Sequence, residues 1–175
     1  MKNSKFSNDA FRGKRAKQSP YYESVRLTYY QNEIGEHHFN TAIGIIKATQ
    51  VGFSETHETE GVLFCEKYLL RIYANQAYVR RNTDKLYRLI DDALELIKRS
   101  KDQFLYQPSH TKSLCFVYWK LGACLLKTGK HTEAQEQLLI GEKILFELEQ
   151  ENQSGYDGHK ELLGHIQATL RRVHH

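Results

Sequence analysis

The sequence predicts an all-α protein, and three observations support this fold class. Only two prolines occur in 175 residues, and a proline inside a helix removes a backbone donor and clashes with the preceding turn. Apolar residues recur at helical spacing in successive segments, and residues that cap or break helices separate these segments. We therefore expect seven helices, arranged as about three antiparallel pairs and a C-terminal capping helix in an α–α superhelix.

Helices one to three occupy the first half of the chain. Helix one is predicted over about residues 21–34, and a turn at 35–38 connects it to helix two, over about 39–50. The polar sequence at 52–57 predicts a loop. Helix three is expected to be long, from about 58 to 81, because its apolar stripe continues over that whole span.

Helices four and five each follow residues that favour a helix start. Asn82 and the two residues after it predict a turn and an N-cap before helix four, over about 84–104, because their side chains accept from free backbone amides. Pro108 and Ser109 predict the start of helix five, which extends to about residue 126 and is apolar around most of its circumference. Such a helix should be buried on more than one side.

The last two helices follow the same pattern. Gly129 favours the left-handed conformation that ends helix five, and Thr132 with Gln135 resembles a capping box that opens helix six. A final amphipathic helix is predicted over about 157–173, after a polar linker.

Positive charge is concentrated at the N-terminus. Residues 1–20 contain six lysines and arginines against Asp9, which gives this segment a net charge of +5. Residues 21–175 carry a net charge of −1, so the formal net charge of the whole chain is +4. We expect residues 1–20 to form a disordered basic tail and residues 21–175 to form one helical domain. The tail is either a solvated extension, a nuclear-import signal or an arm that contacts nucleic acid.

The composition is that of a soluble globular protein. Apolar residues make up 40% of the chain and charged residues 26%, which argues against disorder over the whole length. No apolar run approaches the roughly 20 residues that span a bilayer. We therefore expect no membrane association and a cytoplasmic location, with a nuclear location left open by the basic tail.

The sequence lacks the residue patterns of an enzyme. It contains no glycine-rich phosphate loop, and its paired histidines lack the spacing and carboxylate partner that a zinc site needs. Asp91 and Asp92 are adjacent, so on a helix they point about 100° apart and cannot act as a pair. Cys65, Cys115 and Cys124 have no CxxC spacing and should be buried thiols. We expect a non-enzymatic protein without a metal or cofactor.

A helical repeat is visible in the second half of the chain. The segment 118–126, Tyr-Trp-Lys-Leu-Gly-Ala-Cys-Leu-Leu, followed by Gly129 and Ala134, resembles a tetratricopeptide repeat. Such repeats need small residues where the paired helices cross, here Gly122 and Ala134. Residues 75–89 repeat the spacing more loosely, and residues 39–43 resemble the start of another second helix.

The order of these elements, over about residues 21–173, resembles the three-repeat domain of FKBP-type immunophilin co-chaperones, including the insect shutdown-type relatives. The resemblance implies a concave groove that binds the C-terminal Glu-Glu-Val-Asp of Hsp90 or Hsp70 through a two-carboxylate clamp. We expect no isomerase activity, because only 20 residues precede the similar segment.

The resemblance also implies roles for individual residues. Asn75 stands at the clamp asparagine of the second unit, Lys120 at the arginine of the third, and Gln31 replaces the asparagine of the first.

Two lysines of the clamp are replaced by apolar residues. Leu27 stands in the first unit and Phe116 in the third, although Arg26 and Lys112 lie close enough to restore the two cations. Each charge-assisted hydrogen bond contributes roughly 1.5 to 3 kcal/mol, so the loss of both would weaken a chaperone clamp strongly.

Helical spacing alone describes an overlapping set of residues. Two sets recur every four residues, so each set shares one helix face. The sets are Lys67, Arg71 and Asn75 on helix three, and Lys112, Phe116 and Lys120 on helix five. With Gln31 they predict a basic groove with an aromatic floor, suited to an acidic or amphipathic peptide. The alternative is a pair of solvated helix faces whose lysine stems lie along the surface.

The function expected from these observations is that of a protein-interaction module, of the adaptor or co-chaperone type, for a peptide or partner protein. The alternative is an RNA-associated helical-repeat protein that uses its basic tail and tyrosines and loses affinity steeply with salt. A third possibility is homodimerisation through the terminal helix.

Overall fold

The computed structural model describes residues 20–34, 39–151 and 157–175, and these residues are all-helical, with no strand among them. The helices, in chain order, are α1 (Pro20–Ile34), α2 (Phe39–Glu55), α3 (Thr59–Val79), α4 (Thr83–Asp102), α5 (Pro108–Lys127), α6 (His131–Glu151) and α7 (Asp157–Val173). The predicted fold class is confirmed. The predicted basic tail, apart from its last residue, lies outside the described part of the chain.

Helix α2 is longer than the sequence predicts. It continues to Glu55, through the start of the segment expected to be a loop. Phe53 is buried, and its ring centroid lies 4.9 Å from that of Tyr22 in α1. Because this contact stabilises a helical backbone at Phe53, the polar residues on either side of Phe53 do not end the helix.

Four helices end in the same way. After α2, α3, α4 and α5 the chain enters the left-handed region, with φ between 52° and 80°, at His57, Arg81, Phe104 and Gly129. At each end the next backbone N–H donates to the carbonyl five residues earlier, over 2.8 or 2.9 Å. This Schellman arrangement satisfies carbonyls that the helix leaves open. Only one of the four positions is a glycine, so only that end is predictable from residue type.

The described part of the chain divides into two compact units, and the division falls between Ile72 and Tyr73, within α3. In the first unit, α1 packs on α2, and aromatic side chains from α1, α2 and α3 form a cluster. The ring pairs are Tyr22–Phe53, Tyr22–Phe64, Tyr29–Tyr68 and Phe64–Tyr68, with centroids 4.8 to 5.1 Å apart.

The second unit is built around α5. This helix packs against α4, α6 and α7, and α6 also packs against α7. The prediction that helix five is buried on more than one side is therefore confirmed. Helix α7 is the terminal helix for which homodimerisation was considered. Its apolar residues Leu162 and Ile166 are buried within this chain, so they are already packed.

Helices α5 and α6 approach closely where the sequence predicts that they cross. Gly122 and Ala134 are both buried. A Cβ atom built on Gly122 would lie 2.3 Å from Cγ of Leu138, and one built on Gly141 would lie 2.9 Å from Cβ of Tyr118. The two backbones can approach this closely only because both positions are glycine.

Two further sequence expectations concern single features. Cys65, Cys115 and Cys124 are buried free thiols, as predicted. Among the residues that the structure describes, no helix has both the length and the hydrophobicity needed to cross a membrane.

Candidate functional site

Two of the predicted groove cations, Lys67 and Arg71, are interior residues of the first unit. Their exposed fractions are 1% and 7%. Nζ of Lys67 lies 4.5 Å from the ring centroid of Phe64, and the Arg71 guanidinium lies 5.6 Å from that of Tyr68. The aromatic cluster thus surrounds these charges, and they lie neither on a solvated helix face nor on an accessible binding surface.

The structure describes only some of the side chains at the clamp positions expected on α1. Gln31 lies on α1, but its side chain is outside the described part of the structure. Leu27 is exposed. Arg26, the candidate replacement cation, forms an ion pair with Glu23 one turn earlier on the same helix.

In the second unit, the structure brings Lys120 of α5 onto the C-terminal end of α3. Nζ of Lys120 lies 4.9 Å from the ring centroid of Tyr78, 5.4 Å from that of Phe116 and 4.1 Å from that of Trp119. Lys127, two turns later on α5, places its Nζ 4.4 Å from the same Tyr78 ring. A single tyrosine therefore lies next to two ammonium groups.

Asn75 belongs to the same part of the molecule. It is half-buried and precedes Tyr78 by three residues, so the two side chains share one side of α3. We call Asn75, Tyr78, Trp119, Lys120 and Lys127 the basic face.

The remaining predicted residues, Phe116 and Lys112, precede Lys120 on α5. Phe116 is buried, and its ring meets that of Trp119 edge to face, with centroids 5.5 Å apart. Lys112 is half-buried two turns before Lys120. Phe116 thus packs against the Trp119 ring from within the core, where an aromatic residue at the floor of the predicted groove is expected to lie.

Helix α7 holds Trp119 in place. The imidazole of His165 stacks on the indole with centroids 4.8 Å apart and ring planes 8° from parallel. The indole Nε1–H donates to Oγ1 of Thr169 over 3.1 Å, and the Thr169 hydroxyl donates to the carbonyl of His165. These contacts leave the Trp119 ring little freedom to move.

The segments that supply the basic face carry formal charge of one sign. Neither α5 nor residues 73–82 contain an aspartate or glutamate, and together they contribute Arg80, Arg81 and three lysines. Burial raises the pKa of the Cys124 thiol, and the nearby cations Lys127 and Arg81 oppose that rise. Arg81, which follows α3, and Lys127 of α5 therefore both lie near this thiol.

Sequence reasoning identified Asn75 and Lys120 but missed Tyr78, Trp119 and Lys127 as site residues. Helical spacing offered a signal for two of them, since Tyr78 follows Asn75 by three residues and Lys127 follows Lys120 by seven. No local pattern could show that Tyr78 would lie between the two lysines.

Comparisons with family models, curated proteins and solved structures found no match to this chain. The tetratricopeptide resemblance therefore stays a prediction. Within the described part of the chain, no group of three or more metal-ligating side chains is placed to hold an ion.

Proposed function

We propose that this protein is a non-enzymatic interaction module that binds an acidic segment of a partner protein on its basic face. One observation supports this proposal above the others: the Lys120 ammonium lies over three aromatic rings on a helix without a single acidic residue.

The rings hold the Lys120 ammonium in position. A cation over an aromatic face gains about 0.5–2 kcal/mol, and that attraction restrains a side chain that would otherwise lose rotamer entropy on binding. A lysine ammonium can donate to a carboxylate, and each such charge-assisted bond contributes about 1.5–3 kcal/mol. Lys120 is thus preorganised for an anionic ligand.

The spacing of the cations suits a peptide. Because the two ammonium nitrogens lie 4.9 and 4.4 Å from one ring centroid, they are at most 9.3 Å apart. Alternate side chains of an extended peptide are separated by about 7 Å. Two acidic residues of such a peptide, or one together with a terminal carboxylate, could therefore meet Lys120 and Lys127.

Asn75 would add a neutral amide donor beside them. This combination of cation and amide is the one that the co-chaperone resemblance implies for a chaperone C-terminal tail, which is one acidic ligand of the proposed class. The basic face lacks the lysine that Phe116 replaces, so the proposal covers acidic segments in general.

The packing of the rings favours a peptide over RNA. Binding of single-stranded nucleic acid relies on aromatic faces that bases can stack on, whereas the Trp119 indole is stacked on His165 and lies beside Lys120. Phe116 is buried. The RNA-associated alternative depends on the basic tail, which lies outside the described residues.

Fluorescence anisotropy with a labelled peptide ending in Glu-Glu-Val-Asp, its amidated form and a labelled oligouridine would test the proposal. We expect the acidic peptide to bind, and Lys120→Glu to weaken that binding at least tenfold, because it replaces an attraction by a repulsion. Asn75→Ala should weaken it by less, about three- to tenfold.

The matched control is Lys160→Glu, which reverses an exposed lysine on α7 and should leave the affinity unchanged. Weaker binding of the amidated peptide would show that the terminal carboxylate is recognised. If the acidic peptide does not bind, or binds Lys120→Glu as well as the intact chain, the proposal fails. Oligouridine binding that Lys120→Glu abolishes would favour the RNA alternative.

A further inference from the structure

The outer side of α6 exposes large apolar side chains. Leu139, Ile140 and Phe146 are between 40% and 53% exposed. On the opposite side of the same helix, Leu138 and Leu145 are fully buried. The helix therefore carries a second set of apolar side chains, which the packing of the described residues leaves exposed.

Charged residues, mostly glutamates, border Leu139 and Phe146 on both sides. Leu139 and Phe146 are seven residues apart, so they lie two turns apart along one line of the helix surface. Helical geometry places Glu136, Lys143 and Glu147 to one side of that line, with Ile140 beyond them, and Glu142 to the other. We call these seven residues the outer face, and they include three glutamates against one lysine: Glu136, Leu139, Ile140, Glu142, Lys143, Phe146 and Glu147.

The charge of α6 is opposite to that of α5. It contains six glutamates against a single lysine, Lys143. An exposed leucine on its own is ordinary. Exposed apolar side chains among charges that are mostly negative are instead suited to an oppositely charged amphipathic partner.

Helix α4 also exposes apolar side chains. Tyr87 and Leu94 are exposed on α4, and they too are seven residues apart on one line. Burial raises the pKa of Tyr87, and the charges of Glu133 and Glu136 raise it further. Tyr87 therefore lies near Glu133 and Glu136, in the first turns of α6.

We propose that the outer face docks a basic amphipathic segment of a partner protein. The apolar residues of that segment would cover Leu139 and Phe146, and its lysines or arginines would meet the flanking glutamates. Two copies of this chain paired through the same face would bring their glutamates together, at a cost in repulsion. Nucleic acids and acidic peptides would be repelled for the same reason.

A labelled helix-forming peptide of leucine and lysine, with all leucines on one side, provides the probe. We expect it to bind the full chain. The double variant Leu139→Gln/Phe146→Gln should bind about tenfold more weakly, because two apolar contacts are lost. Glu136→Lys/Glu147→Lys should weaken binding by at least as much and reduce its salt dependence.

Matched controls separate these effects from general surface changes. Val51→Gln removes an apolar residue of α2 that is 57% exposed, and Glu55→Lys reverses an exposed charge on the same helix. Neither should change the affinity. Lys120→Glu should also leave this peptide bound, so failure of the basic-face proposal and failure of this one are distinguishable.

Three outcomes would overturn the inference. In the first, a scrambled peptide of the same composition binds as tightly, and in the second Leu139→Gln/Phe146→Gln binds like the intact chain. In the third, the intact chain is dimeric by sedimentation and the double variant is monomeric, which would make a second copy the occupant. All affected residues are exposed, so circular dichroism should show unchanged helicity and melting.

Discussion

Replacing Gly122 with alanine tests how closely α5 and α6 approach each other. The added Cβ would lie 2.3 Å from Cγ and 2.5 Å from Cδ2 of Leu138. Leu138 is fully buried, and its Cγ is a branch point that cannot swing aside as a flexible end could. Either the helices must separate or Leu138 must leave its rotamer.

The magnitude follows from two opposing contributions. Alanine is favoured over glycine inside a helix by about 0.8–1.0 kcal/mol, and overpacking a core costs about 1–3 kcal/mol. Because the clash involves a branched carbon, we expect the upper part of that range and a net loss of about 1–2 kcal/mol. Gly164→Ala on α7 is the matched control, since nothing lies within 4 Å of its Cβ position. It should stabilise the protein by about 0.5–1 kcal/mol.

Urea denaturation followed by the fluorescence of Trp119 measures both changes. Trp119 is the single tryptophan of the chain and lies one turn before Gly122 on α5. In a Leu138→Ala background, which by itself should cost about 2–5 kcal/mol, Gly122→Ala should become neutral or stabilising because the clashing atoms are gone. If Gly122→Ala stabilises the intact chain as Gly164→Ala does, the close crossing is refuted.

Two further predictions concern Cys65 and Phe104. Burial raises the pKa of Cys65 from 9.0 to about 12. The unfolded chain therefore loses this proton first, and the free energy of unfolding keeps its full value below pH 9 and falls by up to ~1.4 kcal/mol per unit as the pH rises towards 12. In the Cys65→Ala variant, the free energy of unfolding measured by urea denaturation should fall less between pH 8 and pH 10 than in the intact chain. An equal fall in both proteins would contradict the raised pKa of Cys65. Phe104 has a φ of 57° and is 95% exposed, so Phe104→Gly should raise the unfolding free energy by about 1 kcal/mol. Gln103→Gly, one residue earlier at negative φ, should lower it, and thermal melts of both variants decide the point.

The helices were predictable because their information is local. Apolar spacing located all seven, and the N-cap is a side-chain contact over three residues, as Asn82 shows by accepting from the backbone N–H of Lys85 over 3.0 Å. Helix ends were less predictable. His57, Arg81 and Phe104 adopt a conformation that residue type disfavours, and packing such as that of Phe53 on Tyr22 determines where α2 stops.

The candidate site was predictable only in part, because spacing assigns a residue to a helix face without saying what covers that face. Lys67 and Lys120 illustrate this limit, because each belongs to a set of residues that recurs every four positions on one helix. Lys67 is nevertheless only 1% exposed, whereas Lys120 is half-buried beside three aromatic rings. The apolar residues of α6 show the converse, since Leu138 is buried and its apolar neighbour Leu139 is exposed.

The sequence by itself determined the helix order, the small residues at the α5–α6 crossing and the separation of basic α5 from acidic α6, since each is a property of neighbouring residues. Only tertiary packing decided that Tyr78 lies between Lys120 and Lys127 and that α7 stacks His165 on Trp119. These contacts join residues about 40 to 50 positions apart, and their free energy depends on which helix faces meet, which no local pattern encodes.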